Sequence, residues 1–80
     1  MPGEIKADKE LDLKGLACPM PIVRMGQEIG SVEVGQIIHA VTTDPGSLSD
    51  FPAWAESMGH EIVKTEQTGG EIGFWVKRLQ

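Results

Sequence analysis

Residues 11–23 read "LDLKGLACPMPIV", and the hydrophobic period changes inside that stretch. Before Gly15, Leu11 and Leu13 alternate with Glu10 and Asp12, the two-residue repeat of a strand with one buried face. After Cys18 the repeat lengthens. Ile22, Met25 and Ile29 recur at steps of three and four, with Arg24, Gln27 and Glu28 between them, which is the spacing of an amphipathic helix. A strand over Lys9–Leu13 and a helix from Pro19 to about Gly30 follow, joined by a loop that holds the single cysteine. Proline suits the first helical position, because the N–H it lacks has no intrahelical partner there. Pro19 is therefore expected at N1 and Cys18 at the N-cap. Pro21 is tolerated in the same turn, although it disfavours helical angles at Met20.

Downstream, the β-branched run Gln36–Thr42 stops at Asp44-Pro45-Gly46, a turn signal. Ile38, Ala40 and Thr42 are assigned to its buried face. Phe51, Trp54, Ala55 and Met58 fall at i, i+3, i+4 and i+7. They mark a second helix, with Ser49 or Asp50 as N-cap and Gly59 just past its end. "EIVKTEQ" and "EIGFWVKR" flank "TGG", and Ile72, Phe74 and Val76 alternate, so the chain closes on a β-hairpin. The order β-α-β-α-β-β, with one apolar stripe per helix, predicts an α+β fold. Its form is a two-layer α/β sandwich with both helices on one face of a four-stranded mixed sheet. Residues 1–8 read as a frayed lead-in and 9–80 as a single domain.

The chain has 80 residues, 7 basic against 12 acidic, for a formal charge of -5. That balance repels a phosphate backbone, so direct tight nucleic-acid binding is not expected. One cysteine cannot close an intramolecular disulfide, which fits a reducing, cytoplasmic setting. The polar start "MPGEIKADKE" lacks an apolar signal core, and no run approaches the roughly 20 apolar residues that span a bilayer. Membrane insertion is not expected.

Cysteine chemistry belongs to the thiolate, and a thiol at a helix N-terminus meets the positive end of the helix dipole. A lowered pKa for Cys18 follows as the expectation, within a range of roughly 3.5 to 7.5 for activated cysteines against about 8.5 for free ones. Pro19 and Pro21 remove two N–H donors from that turn and limit the lowering. With no second thiol to resolve an oxidised form, whatever Cys18 accepts must pass to another molecule. Two other roles compete. Cys18 could simply pack, as free cysteine often does, in a non-catalytic regulatory or protein-interaction module. It could also sense oxidant through a sulfenic acid.

"LDLKGLACPMPIV" is similar to the corresponding stretch of the TusA/SirA family of small sulfur-carrier proteins, which place a CPxP motif between a first strand and a first helix. Asp44-Pro45, the D-x-P-x-W of Asp50, Pro52 and Trp54, and "GHE" at Gly59–Glu61 fall in the family's order, so the resemblance runs from Leu11 to Leu79. It implies the β-α-β-α-β-β fold and a sulfur carrier or sulfurtransferase in which Cys18 receives sulfane sulfur as a persulfide. The donor would be a cysteine desulfurase or rhodanese-like protein and the acceptor a further protein. The relay could serve tRNA thiolation, sulfur oxidation or related sulfur trafficking. No cofactor is implied. Ala17 and Met20 stand where the tRNA-thiolation member has a basic and an acidic residue, which leaves an apolar collar around the thiol.

Pro19, Met20 and Pro21 would then form the helix start that supports the thiolate, and Met20, Arg24 and Trp75 are candidates for partner docking. Trp75 alternates with Phe74 and is expected exposed, on the sheet face without helices. His39, His60 and Cys18 lack metal-motif spacing, so no metal site is expected. Asp44 is read as a turn residue first.

Overall fold

The computed structural model describes residues 6–80. Its elements are β1 (Lys9–Leu13), α1 (Met20–Glu28) with a following 3₁₀ turn (Ile29–Ser31), β2 (Ile37–Thr42), α2 (Ser47–Met58), β3 (Glu61–Thr68) and β4 (Glu71–Lys77). The sheet order is β1-β2-β4-β3. β1 and β2 are parallel, and the other two pairings are antiparallel. The expected mixed sheet and element order are therefore present. Of the expected lead-in, residues 1–5 lie outside the described residues. Asp8 is tied down, its N–H donating to Ile37 O at 2.7 Å while its carboxylate accepts from Ile37 N at 2.9 Å.

Alternation sorts each strand into two faces. Leu11, Leu13, Ile38, Ala40, Ile72, Phe74 and Val76 face the helices and are buried, and Met25, Ile29 and Phe51 meet them from the helical layer. Thr42 is buried on the same face, as its alternation with Ile38 and Ala40 predicts. Its hydroxyl finds a partner in Ser47 Oγ at 2.9 Å, which ties the end of β2 to the start of α2. Phe51 and Phe74 stack with ring centroids 4.4 Å apart, and both are fully buried. Lys9 reaches from β1 to the far end of α1. Its Nζ meets Glu28 Oε1 at 2.5 Å and Ser31 Oγ at 2.7 Å, and this holds the Glu28 carboxyl below its usual range.

The hairpin turn is Gly69-Gly70, both at positive φ (57° and 83°). A two-residue loop of that kind needs left-handed angles that glycine adopts without a steric cost. β3 carries an irregularity between Ile62 and Lys64, where one extra residue bends the strand.

Three helix details depart from the sequence reading. Pro19 is the N-cap of α1 and Met20 its first residue, one position later than expected. The reason is a turn through Cys18: Met20 N–H bonds back to Ala17 O at 2.9 Å, while Pro19 O accepts the first helical bond from Val23 N at 3.1 Å. α2 starts at Ser47 with Gly46 as N-cap, not at Ser49 or Asp50. Asp50 and Pro52 resemble a first turn in sequence, but the helix grows directly out of the Asp44 turn, with Ser47 N–H donating to Asp44 O at 3.0 Å. Met58, assigned to the apolar stripe by spacing, is exposed, because the chain leaves the helix at Gly59 in the left-handed conformation (φ 77°).

His60 follows that cap and packs against Trp54, and its Nδ1 accepts from Leu79 N–H at 3.2 Å. Burial, helped by the charge of Arg78, lowers its pKa. The folded state thus binds a proton less readily than the unfolded chain. Stability should be flat above about pH 6.5, the unfolded histidine value, and fall as pH drops from there through the lower folded value. Urea midpoints across pH 5–8 should show this slope, and His60→Gln should remove it. Separately, Phe51→Ala should cost about 3–5 kcal/mol in the same assay, and a loss below about 1 kcal/mol would place the ring outside the core.

Candidate functional site

β1 and β2 run in the same direction as neighbours, so their C-terminal ends lie side by side and the loops leaving them enter the same region of space. The loop after β1 carries Cys18, and the loop after β2 carries Asp44 and leads to Asp50 in the first turn of α2. Gly15 N–H donates to Thr43 Oγ1 at 2.9 Å and links the two loops. Asp44 serves both. Its Oδ1 accepts from Gly46 N–H at 3.2 Å, closing its own turn, and its Oδ2 accepts from Cys18 N–H at 3.1 Å. Asp44 is the turn residue that the sequence predicts and also a neighbour of the cysteine.

The Cys18 side chain is exposed and free of any disulfide. Its Sγ donates to Asp50 Oδ2 at 3.5 Å. Beside it a groove of about 240 Å³ is lined by Cys18, Pro19, Ile22, Asp50 and Ala53. Met20 and Val23 on the adjoining turn of α1 are exposed, so the sulfur stands in mainly apolar surroundings with two carboxylates behind it. A larger hollow of about 510 Å³ between the Pro45 turn and the hairpin loop is lined by neither cysteine nor histidine.

The charge state of the thiol is opposite to the expected one. Asp50, which accepts the thiol hydrogen, holds the proton on sulfur. Slight desolvation and the charges of Asp50 and Asp44 act in the same direction, and the Cys18 pKa is raised. The helix dipole is weakened here because donors of the first turn are missing or engaged: Pro19 and Pro21 have no N–H, and those of Met20 and Val23 are given to Ala17 O and Pro19 O. Sequence reasoning read Asp50 as a helix cap and as part of the family's D-x-P-x-W, and missed it as a neighbour of the sulfur.

Sγ and one oxygen each from Asp44 and Asp50 lie within 4.8 Å of one another, a spacing at which three groups could share a cation. One soft thiolate with two hard carboxylates does not match the cysteine and histidine sets of structural zinc sites. The histidines considered for a metal lie elsewhere. His60 is at the exit of α2, and His39 is on the helix-free face of the sheet. There His39 Nδ1 pairs with Glu10 Oε1 at 2.7 Å and its ring stacks on Trp75 at 4.1 Å, while Lys64 Nζ lies 4.8 Å from the Trp75 ring. Glu10, His39, Trp75 and Lys64 are in register across all four strands. Trp75 is accordingly half-buried rather than exposed, and it cannot share one docking patch with Met20 and Arg24 on the helical layer.

A family model described as "Sulfurtransferase TusA" matches residues 9–78. The chain is 41% identical over 71 residues to the sulfur carrier protein TusA of Allochromatium vinosum, covering 89% of this chain and 93% of that protein. It is 43% identical over 74 residues to the putative sulfur carrier protein YrkI of Bacillus subtilis, covering 92% and 99%. The crystal structure of a SirA-like protein from Desulfitobacterium hafniense superposes with a TM-score of 0.76 at 22% identity, covering 90% of this chain and 99% of that one. This last likeness concerns the fold.

Iodoacetamide alkylation of Cys18 should rise with pH to a midpoint above about 8.5, the free-cysteine value. A midpoint at or below it would mean that Asp50 does not hold the proton.

Proposed function

The chain belongs to the TusA sulfurtransferase family, and from that premise we propose that it is a sulfur carrier that loads sulfane sulfur on Cys18 as a persulfide and passes it to an acceptor protein. The observation that carries this reading is the exposed thiol at the mouth of the Pro19–Ile22–Ala53 groove. Cys18 loses its thiol proton, and its sulfur attacks the terminal sulfur of a donor persulfide, R–S–SH. The donor's S–S bond breaks and R–S⁻ leaves and takes up a proton. The products are Cys18–S–SH and R–SH. The outgoing step is the same reaction with an acceptor thiolate as nucleophile and Cys18 as leaving group. Electrons balance in both directions, so the exchange draws on no oxidant, reductant or cofactor.

Met20 and Val23, exposed beside the groove, supply apolar contact to a docked partner, and methionine adapts to differently shaped surfaces. Arg24, one turn on from Met20, borders the same surface. Donor and acceptor are cytoplasmic proteins in this reading.

Incubation with a cysteine desulfurase and cysteine should add about 32 Da, one sulfur atom, to the intact protein. The adduct should vanish in Cys18→Ala and on treatment with a reducing thiol. No adduct from either a desulfurase or a rhodanese loaded with thiosulfate would leave the chain as a non-catalytic module.

A further inference from the structure

Two half-buried carboxylates stand against the one thiol of this protein. Among the described residues neither Asp44 nor Asp50 forms an ion pair; the pairs present are Lys9–Glu28, His39–Glu10 and Lys64–Glu66. Asp44 is anchored by the Cys18 and Gly46 amides, and Asp50 is fixed in the first turn of α2, where its own N–H donates to Gly46 O at 3.0 Å. Neither anchor offers the sulfur a positive group. A thiolate formed at Cys18 would be a third negative charge within 4.8 Å of the other two, and like charges at that range disfavour ionisation.

Building on the persulfide reading, we propose that Asp50 is a positioning residue that holds the Cys18 thiol protonated and aimed across the groove. The sulfur becomes nucleophilic when a donor or acceptor protein sets a lysine or arginine side chain against the Asp44–Asp50 pair. A free carrier is then chemically quiet, and a carrier docked to a basic site is active. The partner's docking site is defined by this chemistry: an apolar rim for Met20 and Val23, with a cation placed to meet the two carboxylates.

The wild-type protein tests the field directly. Cys18 is reacted with a cationic methanethiosulfonate, the trimethylammonium-ethyl reagent, and with the anionic sulfonatoethyl reagent. Each rate is divided by that of the same reagent with 2-mercaptoethanol. The normalised rate for the cation should exceed that for the anion by about tenfold at low salt, and the preference should shrink in 1 M salt. Asp50→Asn should lower both the preference and the midpoint of the alkylation profile, Asp50→Glu should restore them, and Asp50→Lys should bring the midpoint lowest of the four. A normalised ratio of one or less in the wild type, or superimposable profiles for the wild type and Asp50→Asn, would overturn the proposal. No sulfur donor enters these measurements, so their failure leaves persulfide loading intact, and failure of loading leaves these profiles as they are.

Discussion

The parallel pairing of β1 with β2 is the constraint on which the site depends. Two neighbouring strands that run the same way must release their chains at the same end of the sheet, and each chain then turns back over one face as a helix. The registers Leu11 to Ala40 and Leu13 to Thr42 bring together groups that are 26 and 32 residues apart, Cys18 with Asp44 and Cys18 with Asp50. Thr42 and Ser47 fix the second crossover from inside the core, and Gly15 with Thr43 fixes the two loops to each other from outside. Without that pairing the cysteine would be a thiol on an isolated loop.

The same geometry decides between two electrostatic effects. Helix dipoles draw negative charge to their N-termini through free amide N–H groups, and two helices begin near this sulfur. At α1 Pro19 and Pro21 have no amide N–H and that of Met20 is committed to Ala17, and at α2 the first amides are committed to Asp44, Pro45 and Gly46. The hydrogen-bond partner that Sγ finds is a carboxylate oxygen. Short-range hydrogen bonding and charge therefore outweigh the dipole, and the sulfur stays a thiol. An accessible but protonated thiol reacts more slowly with stray electrophiles than a thiolate does.

Much of this was legible in the residues. Leu11 and Leu13, then Ile22, Met25 and Ile29, state one strand and one helix through their periods alone. Ile38, Ala40 and Thr42 proved the inward set of β2, and the paired glycines marked the hairpin. The resemblance carried by Cys18-Pro19-Met20-Pro21 and by Asp44, Asp50 and Trp54 pointed to the family. The start of α2 was hidden because Asp50 and Pro52 imitate a first turn within a helix already begun. The protonation state of Cys18 was hidden for a different reason. Local reading sees the dipole of the helix that follows the thiol, but the groups that overrule it come from another loop. Met58 shows the complementary failure, in which a spacing continues past the point where the helix still has a layer to pack on.

Among the described residues β3 ends the sheet with one side unpaired, and such an edge is an invitation to any other extended chain. Here the invitation is withdrawn along the whole strand. Glu61, Lys64 and Glu66 put charge along it, and the extra residue between Ile62 and Lys64 breaks its straight run of amides and carbonyls. The kinked, charged margin leaves this border with little to offer a further strand.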